Sequence, residues 1–218
     1  MGLGPTLNLT QQIADHIARG IVSGHLSPQS RIQELKLAGE LGVSRGSVRE
    51  ALLILEGRHL VEIIPRRGAV VKGLKADQAA GFSKLFCNLQ VMCLEHLVLR
   101  KDIDLGDLRL ALPLMTDSLR DTDTQRMIDA RGRFLSAMFD LVDDYYLRCV
   151  VKDLAAVGQR MAYLVAEHPH YDMRDSVRYH QALFAALEER DESRLKELVC
   201  AFEKRQCRLA AGCENTTG

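Results

Sequence analysis

No apolar run in this 218-residue chain approaches the roughly 18 residues needed to cross a bilayer, so the sequence offers no membrane span. Its first ten residues, MGLGPTLNLT, lack a charged start, a long apolar stretch and a cleavage site, which excludes a secretory signal. The six cysteines (Cys87, Cys93, Cys149, Cys200, Cys207 and Cys213) contain no C-x-x-C pair and no finger-like spacing. That distribution fits reduced, buried or half-buried thiols in a cytoplasmic protein, and a redox switch would sit at the Cys200, Cys207 and Cys213 cluster. Catalytic patterns are missing as well. There is no Gly-rich phosphate loop, no nucleophile elbow, no carboxylate pair beside a base and no complete metal set, so nothing marks an enzyme. Formal charge is zero, which taken alone argues against a nucleic-acid partner.

What is present divides the chain in two. Residues 1–74 carry nine Lys and Arg against six Asp and Glu, and residues 75–218 carry 20 against 23. A mildly basic front and a mildly acidic back fit a DNA-reading domain joined to something else. The fold class is mainly α, with a winged helix-turn-helix over 1–74 and an all-α antiparallel bundle of about six helices over 75–218.

The front half is organised around Gly42–Leu55, GVSRGSVREALLIL. Ser44 is a good helix N-cap, because its hydroxyl can accept from a free N–H of the next turn. Val48, Ala51, Leu52 and Leu55 recur at helical spacing as a buried stripe, with Arg45 and Arg49 projecting beside it. Upstream, Glu34–Leu41 reads as a short helix with Leu35, Leu37, Ala38 and Leu41 inward, closed by Gly42 in a left-handed conformation. Before it, a helix capped by Thr10 runs to about Ser23 with Ile13, Ile17 and Ile21 buried. Pro28 then keeps His25–Ile32 out of a helix. After Arg58, Leu60–Ile64 and Ala69–Val71 form a hairpin with a basic tip, Arg66 and Arg67, and Gly68 supplies the positive φ. Three helices and a basic hairpin make a winged helix, in which the first turn of the second helix of the helix-turn-helix enters the major groove. A protein-interaction module of the same shape is the alternative.

Those residues resemble the DNA-binding domain of the GntR family of bacterial regulators. The matching features are G-x-L-x-P (Gly24, Leu26, Pro28), E-x-x-L-A (Glu34, Leu37, Ala38), the run Leu41–Leu52, and R-R-G-x-V (Arg66–Val70). The resemblance implies DNA contacts from Ser44, Arg45, Ser47 and Arg49, and from Arg66, Arg67 and Gly68 at the wing. Two departures stand out. Gln29 replaces the usual Gly after Pro28, which should alter a turn. Gly46-Ser47 replaces the common Thr-Pro, which bears on the operator sequence.

From Lys75 onward the pattern is helical only, over about 76–101, 105–120, 123–142, 145–167, 172–189 and 192–212, broken by Asp-rich pieces. Phe82, Leu85, Phe86, Leu89, Met92 and His96 form the expected inner face of the first helix. Val177, Leu183, Phe184 and Leu187 form that of the fifth. Cavities between bundle helices are common ligand sites. This half resembles the FCD effector domain of the FadR-type branch of the family, at Arg131–Leu147 and at His180–Asp191.

Many members of that branch hold a metal through an Asp, a His four residues later and two further His. Those positions fall here on Arg131, Leu135, His180 and Phe202, so the resemblance implies no metal and no cofactor. Arg131 in place of the Asp either carries a positive charge into the bundle, requiring an internal carboxylate or an anionic ligand, or reaches outward to solvent. Tyr146, Arg178, Tyr179 and His180 are companions for an effector pocket. The expectation is a homodimeric repressor that binds a double-stranded DNA operator and responds to a small-molecule effector, an organic acid.

Overall fold

The computed structural model describes residues 9–65, 67–73, 76–166 and 168–213. The chain divides into two compact units, Met1–Leu74 and Lys75–Gly218. Among the described residues no helix is long and apolar enough to cross a membrane.

The front unit runs α1 (Leu9–Val22), β1 (Arg31–Ile32), α2 (Glu34–Leu41), α3 (Arg45–Gly57), β2 (Val61–Ile64) and β3 (Gly68–Val71). Ile13, Ile17 and Ile21 of α1 are buried together with Val48, Ala51, Leu52 and Leu55 of α3, both stripes following the helical period. Thr10 lies inside the first turn of α1 instead of capping it, and its hydroxyl donates to Glu50 on α3 at 3.2 Å. Arg58 and Asp15 add an ion pair at 2.8 Å between the end of α3 and α1.

The three strands form one antiparallel sheet in the order β1-β3-β2, with Arg31 opposite Val70 and Ile64 opposite Gly68. The turn before β1 keeps a left-handed residue: Gln29 has φ 64°, and its N–H donates to the Val71 carbonyl at 2.9 Å. Gln29 is held at a positive φ, and the sheet bond beside it holds it there.

The back unit contains α4 (Ala76–Leu99), α5 (Gly106–Arg120), α6 (Thr124–Asp140), α7 (Tyr145–Ala166), α8 (Met173–Glu188) and α9 (Glu192–Cys213). The Asp-rich breaks have a physical reason. Asp123, Asp144, Asp172 and Asp191 each accept a hydrogen bond from a backbone N–H two or three residues on, at 2.7–3.0 Å, capping α6, α7, α8 and α9. Cys87 meets Cys200 and Glu95 meets Lys196, so α9 retreats as α4 advances and the two helices run antiparallel.

Two expected inner faces are corrected. On α2 only Ala38 is buried, and Leu35 is 75% exposed, because a two-turn helix touches the core along one edge. On α4 Phe86 is buried and Phe82 and Leu89 pack against the core as expected, joined by Ser83, Gln90, Val91, Cys93, Leu94 and Leu97, whereas Leu85, Met92 and Leu99 are exposed and His96 faces solvent. α4 carries apolar residues on two faces, so its pattern points in no single direction. On α8, Val177, Leu183, Phe184 and Leu187 are buried.

Candidate nucleic-acid interface and bundle core

The start of α3 is built by its cap. Ser44 is extended (φ −71°, ψ 149°), and its Oγ accepts from the Ser47 N–H at 3.0 Å while lying 2.9 Å from the Ser47 Oγ. Gly42, at φ 64°, ends α2 in the left-handed region, and the Val43 N–H bonds to the Ala38 carbonyl at 3.0 Å. These two devices fix the short turn between α2 and α3. Arg45 then leaves the first turn of α3, its Nε donating to Glu34 at 3.0 Å with the side chain 69% exposed. Arg49 is exposed one turn later.

Beside this surface lies a groove of about 590 Å³ lined by Arg31, Glu34, Arg45, Arg49, Pro65 and Gly68, among others. It runs between the start of α3 and the hairpin. Arg67 is exposed at the hairpin tip, where its N–H closes the turn on the Ile64 carbonyl at 3.0 Å, and Gly68 follows at φ 81°. Arg66 lies outside the described residues. The structure thus brings Arg45, Arg49 and Gly68 to one groove and places Ser44 and Ser47 at the head of the same helix.

Sequence reading missed Arg31. Its position in an extended piece before α2 carried no periodic signal, and only the pairing of β1 with β3 brings its guanidinium to within about 4 Å of the Gly68 position.

In the bundle, Arg131 on α6 is only 8% exposed, so it does not reach outward. Its partner is Glu203 on α9, at 3.8 Å, and Glu203 also accepts from Gln90 on α4 at 3.0 Å. Burial pushes the Glu203 carboxyl above its usual range, opposed by the Arg131 charge and the Gln90 bond. The Arg131 guanidinium lies 5.8 Å from the centre of the Phe202 ring, and its Nε has no hydrogen-bond partner.

His180 is fully buried, edge-on to Phe134 at 5.1 Å and Tyr179 at 4.8 Å. Its Nδ1 lies 2.7 Å from the Ser176 carbonyl, which can only accept, so the proton is on Nδ1 and Nε2 presents a bare lone pair. Burial first, and then the Arg131 charge, push its pKa down to about 3. Tyr179 stacks on Phe202 at 3.9 Å, and its buried hydroxyl is also unpartnered.

Arg131, Tyr179 and His180 therefore come together. Tyr146 and Arg178 do not. Tyr146 is 79% exposed on α7, and Arg178 is an exposed residue paired with Asp175. Glu203 was missed, although a signal existed: it falls four residues after Val199 on the buried stripe of α9.

Two spaces adjoin Arg131. A void of about 10 Å³ beside Ser83 and Glu203 holds at most one water. A cleft of about 240 Å³ between α6 and α7 is lined by Arg131, Ser136, Lys152 and Gln159, among others. The residues do not fit the metal that the resemblance would bring. Arg131 is a cation already paired with Glu203, while Leu135 and Phe202 offer no lone pair and His180 supplies a single one. Among the described residues no group of three His, Cys, Asp or Glu is placed to hold an ion.

Comparison with known proteins agrees with this division. The profile of the bacterial regulatory proteins of the gntR family matches residues 9–71, and that of the FCD domain matches residues 86–202. The HTH-type transcriptional repressor RspR of Escherichia coli (strain K12) is 26% identical over 204 residues, covering 87% of this chain and 83% of its own length. The gluconate operon transcriptional repressor of Bacillus subtilis (strain 168) is 29% identical over 148 residues, covering 67% and 60%. The solved structure of Escherichia coli McbR/YncC shares the fold with a TM-score of 0.79 at 20% identity, over 92% of this chain and 95% of its own. The chain belongs to the GntR family of bacterial regulatory proteins, a family of DNA-binding transcription regulators, and its helical bundle is an FCD domain.

Proposed function

We propose that the protein is a cytoplasmic repressor that binds a pseudo-palindromic operator as a homodimer and changes its DNA affinity when a small organic acid binds the bundle. The observation that carries the reading is the solvent-facing start of α3, where Arg45 and Arg49 stand beside a basic groove bordered by the wing. Arg45, Ser47 and Arg49 read base edges, while Ser44, Arg31, Arg67 and the Gly68 backbone contact phosphates. The resemblance to the family adds Arg66 to the phosphate contacts.

Repression is supported by two relatives whose names describe repressors. The dimer is supported by Leu85, Met92 and Leu99, three exposed apolar residues seven apart on one face of α4, as a helix seam requires. The effector reading rests on Arg131, which lines the α6–α7 cleft with Lys152 and would attract a carboxylate there. Tyr179 and His180 stand behind it. A ligand there biases the bundle between arrangements that set the spacing of the two reading helices.

The test is selection of DNA fragments by the full-length protein, followed by titration at several salt concentrations. Enrichment of one inverted repeat, with affinity falling steeply as salt rises, is expected. Retention of no sequence, or binding insensitive to salt, would favour a protein-interaction module instead.

A further inference from the structure

Cys87 on α4 and Cys200 on α9 are 113 residues apart in sequence, yet their sulfurs lie 3.6 Å from one another, with the Cys87 thiol donating to the Cys200 sulfur. Both are half-buried, so a small oxidant can reach them. Their setting matters. Three residues beyond each cysteine on its own helix stand Gln90 and Glu203, which bond to one another and hold the counter-ion of Arg131. The thiol pair and the bundle's buried charges therefore share the same stretch of the α4–α9 contact.

We propose that Cys87 and Cys200 are an oxidative modification site, at which a hydroperoxide converts the thiol pair into a disulfide that ties α4 to α9. The roles follow from the hydrogen bond. The S–H of Cys87 is engaged on the Cys200 sulfur, so Cys200 is the nucleophile and Cys87 the resolving thiol. Cys87 keeps its proton: burial first, then that bond to Cys200, push its pKa up to about 12.

The chemistry balances in two steps. The Cys200 thiolate, having lost its proton to solvent, attacks one oxygen of the hydroperoxide. An S–O bond forms, the O–O bond breaks, and the other oxygen takes up a proton and leaves as an alcohol, or as water when hydrogen peroxide is the oxidant. The Cys87 sulfur then attacks the resulting sulfenic acid. An S–S bond forms, the S–O bond breaks, and the departing hydroxide takes the Cys87 proton as water. Two electrons pass from the thiols to the peroxide.

Closing the bond draws the sulfurs from 3.6 Å to about 2.05 Å. That movement acts on the turns that carry Gln90 and Glu203. Oxidation thereby reaches the polar centre of the bundle. The cross-link also closes a long loop, which should make the bundle harder to unfold.

The experiment uses the full-length protein, first fully reduced and then treated with hydrogen peroxide, alkylated and digested with trypsin without reductant. Mass spectrometry is expected to find peptide 85–100 joined to peptide 197–204, two hydrogens lighter than their sum, with fragmentation assigning the bond to Cys87 instead of Cys93. Dithiothreitol should release it. The oxidised protein should melt several degrees above the reduced one, a gain absent from Cys87→Ala and Cys200→Ser. Recovery of Cys87 and Cys200 as alkylated thiols while the exposed Cys149 is oxidised would overturn the proposal. Pairing of Cys200 with Cys207 would do the same, and so would a cross-linked protein that melts no higher.

Discussion

The two units place their arginines under opposite conditions. Arg45 and Arg49 stand in water at the start of α3, where a charge costs little and is free to act on a partner. Arg131 is enclosed by the bundle, where a charge is costly unless matched, and Glu203 matches it. An exposed arginine can thus be removed with little effect on folding, whereas a buried one is part of what holds the fold. Stability measurements should hit the second group and DNA measurements the first.

The largest effect should come from breaking the buried pair on its acidic side. Glu203→Ala leaves the Arg131 guanidinium enclosed without a counter-ion and removes the acceptor of Gln90, a loss expected at about 3–5 kcal/mol. Urea unfolding of the variant and of wild type measures it. Glu203→Gln keeps an acceptor for Gln90 and should lose less. Equal midpoints for Glu203→Ala and wild type would mean that the pair is not a structural element.

Acid should sharpen the same contrast. His180 titrates near its ordinary value of 6.5 in the unfolded chain but only at about 3 when folded. The unfolded state therefore binds more protons between those values. Stability present above pH 6.5 is lost as pH falls through that window, by up to about 1.4 kcal/mol per unit. Glu203 acts with the opposite sign: its raised pKa gives the folded state the extra proton, a contribution present at low pH and lost as pH rises. The His180 contribution is the one lost as pH falls from 6.5 toward about 3. His180→Asn, which can still donate to the Ser176 carbonyl, should flatten that loss in unfolding titrations.

These contrasts explain how far the sequence could be read. The stripes of α1 and α3 were legible because Ile13, Ile17 and Ile21, and Val48, Ala51, Leu52 and Leu55, obey one rule, apolar residues inward at the helical period. The Ser44 cap and the Gly42 turn were legible because each depends only on near neighbours. The inner face of α4 was not. Its buried Ser83 and Gln90 look like surface residues, and its exposed Leu85 and Met92 look like core. What places them is the facing helix α9, more than a hundred residues away, and no periodicity within α4 records it. Glu203 escaped for the same reason: a carboxylate on an apolar stripe becomes intelligible only when Arg131 and Gln90 arrive from two other helices. Tyr146 was drawn into the pocket by its nearness in sequence to the branch's motif, and the start of α7 turns it outward.

A smaller effect is expected at Gln29 in the front unit. An L-residue at φ 64° is strained, and glycine there relieves the strain at the cost of a more flexible unfolded chain. Gln29→Gly should stabilise the protein by about 0.5–1 kcal/mol. Thermal unfolding checks the sign, and a loss would show that the Gln29 side chain contributes more than its backbone costs.

The most direct measurement concerns the α3 surface itself. Arg45→Ala and Arg49→Ala should each weaken binding to the selected operator at least tenfold, since a guanidinium contact to a base edge is worth roughly 1–3 kcal/mol. The melting temperature should stay within about a degree of wild type, because the ion pair between Arg45 and Glu34 is largely exposed and such pairs contribute little. Operator affinity equal to wild type in both variants, with the fold intact, would contradict the assignment of α3 as the reading helix.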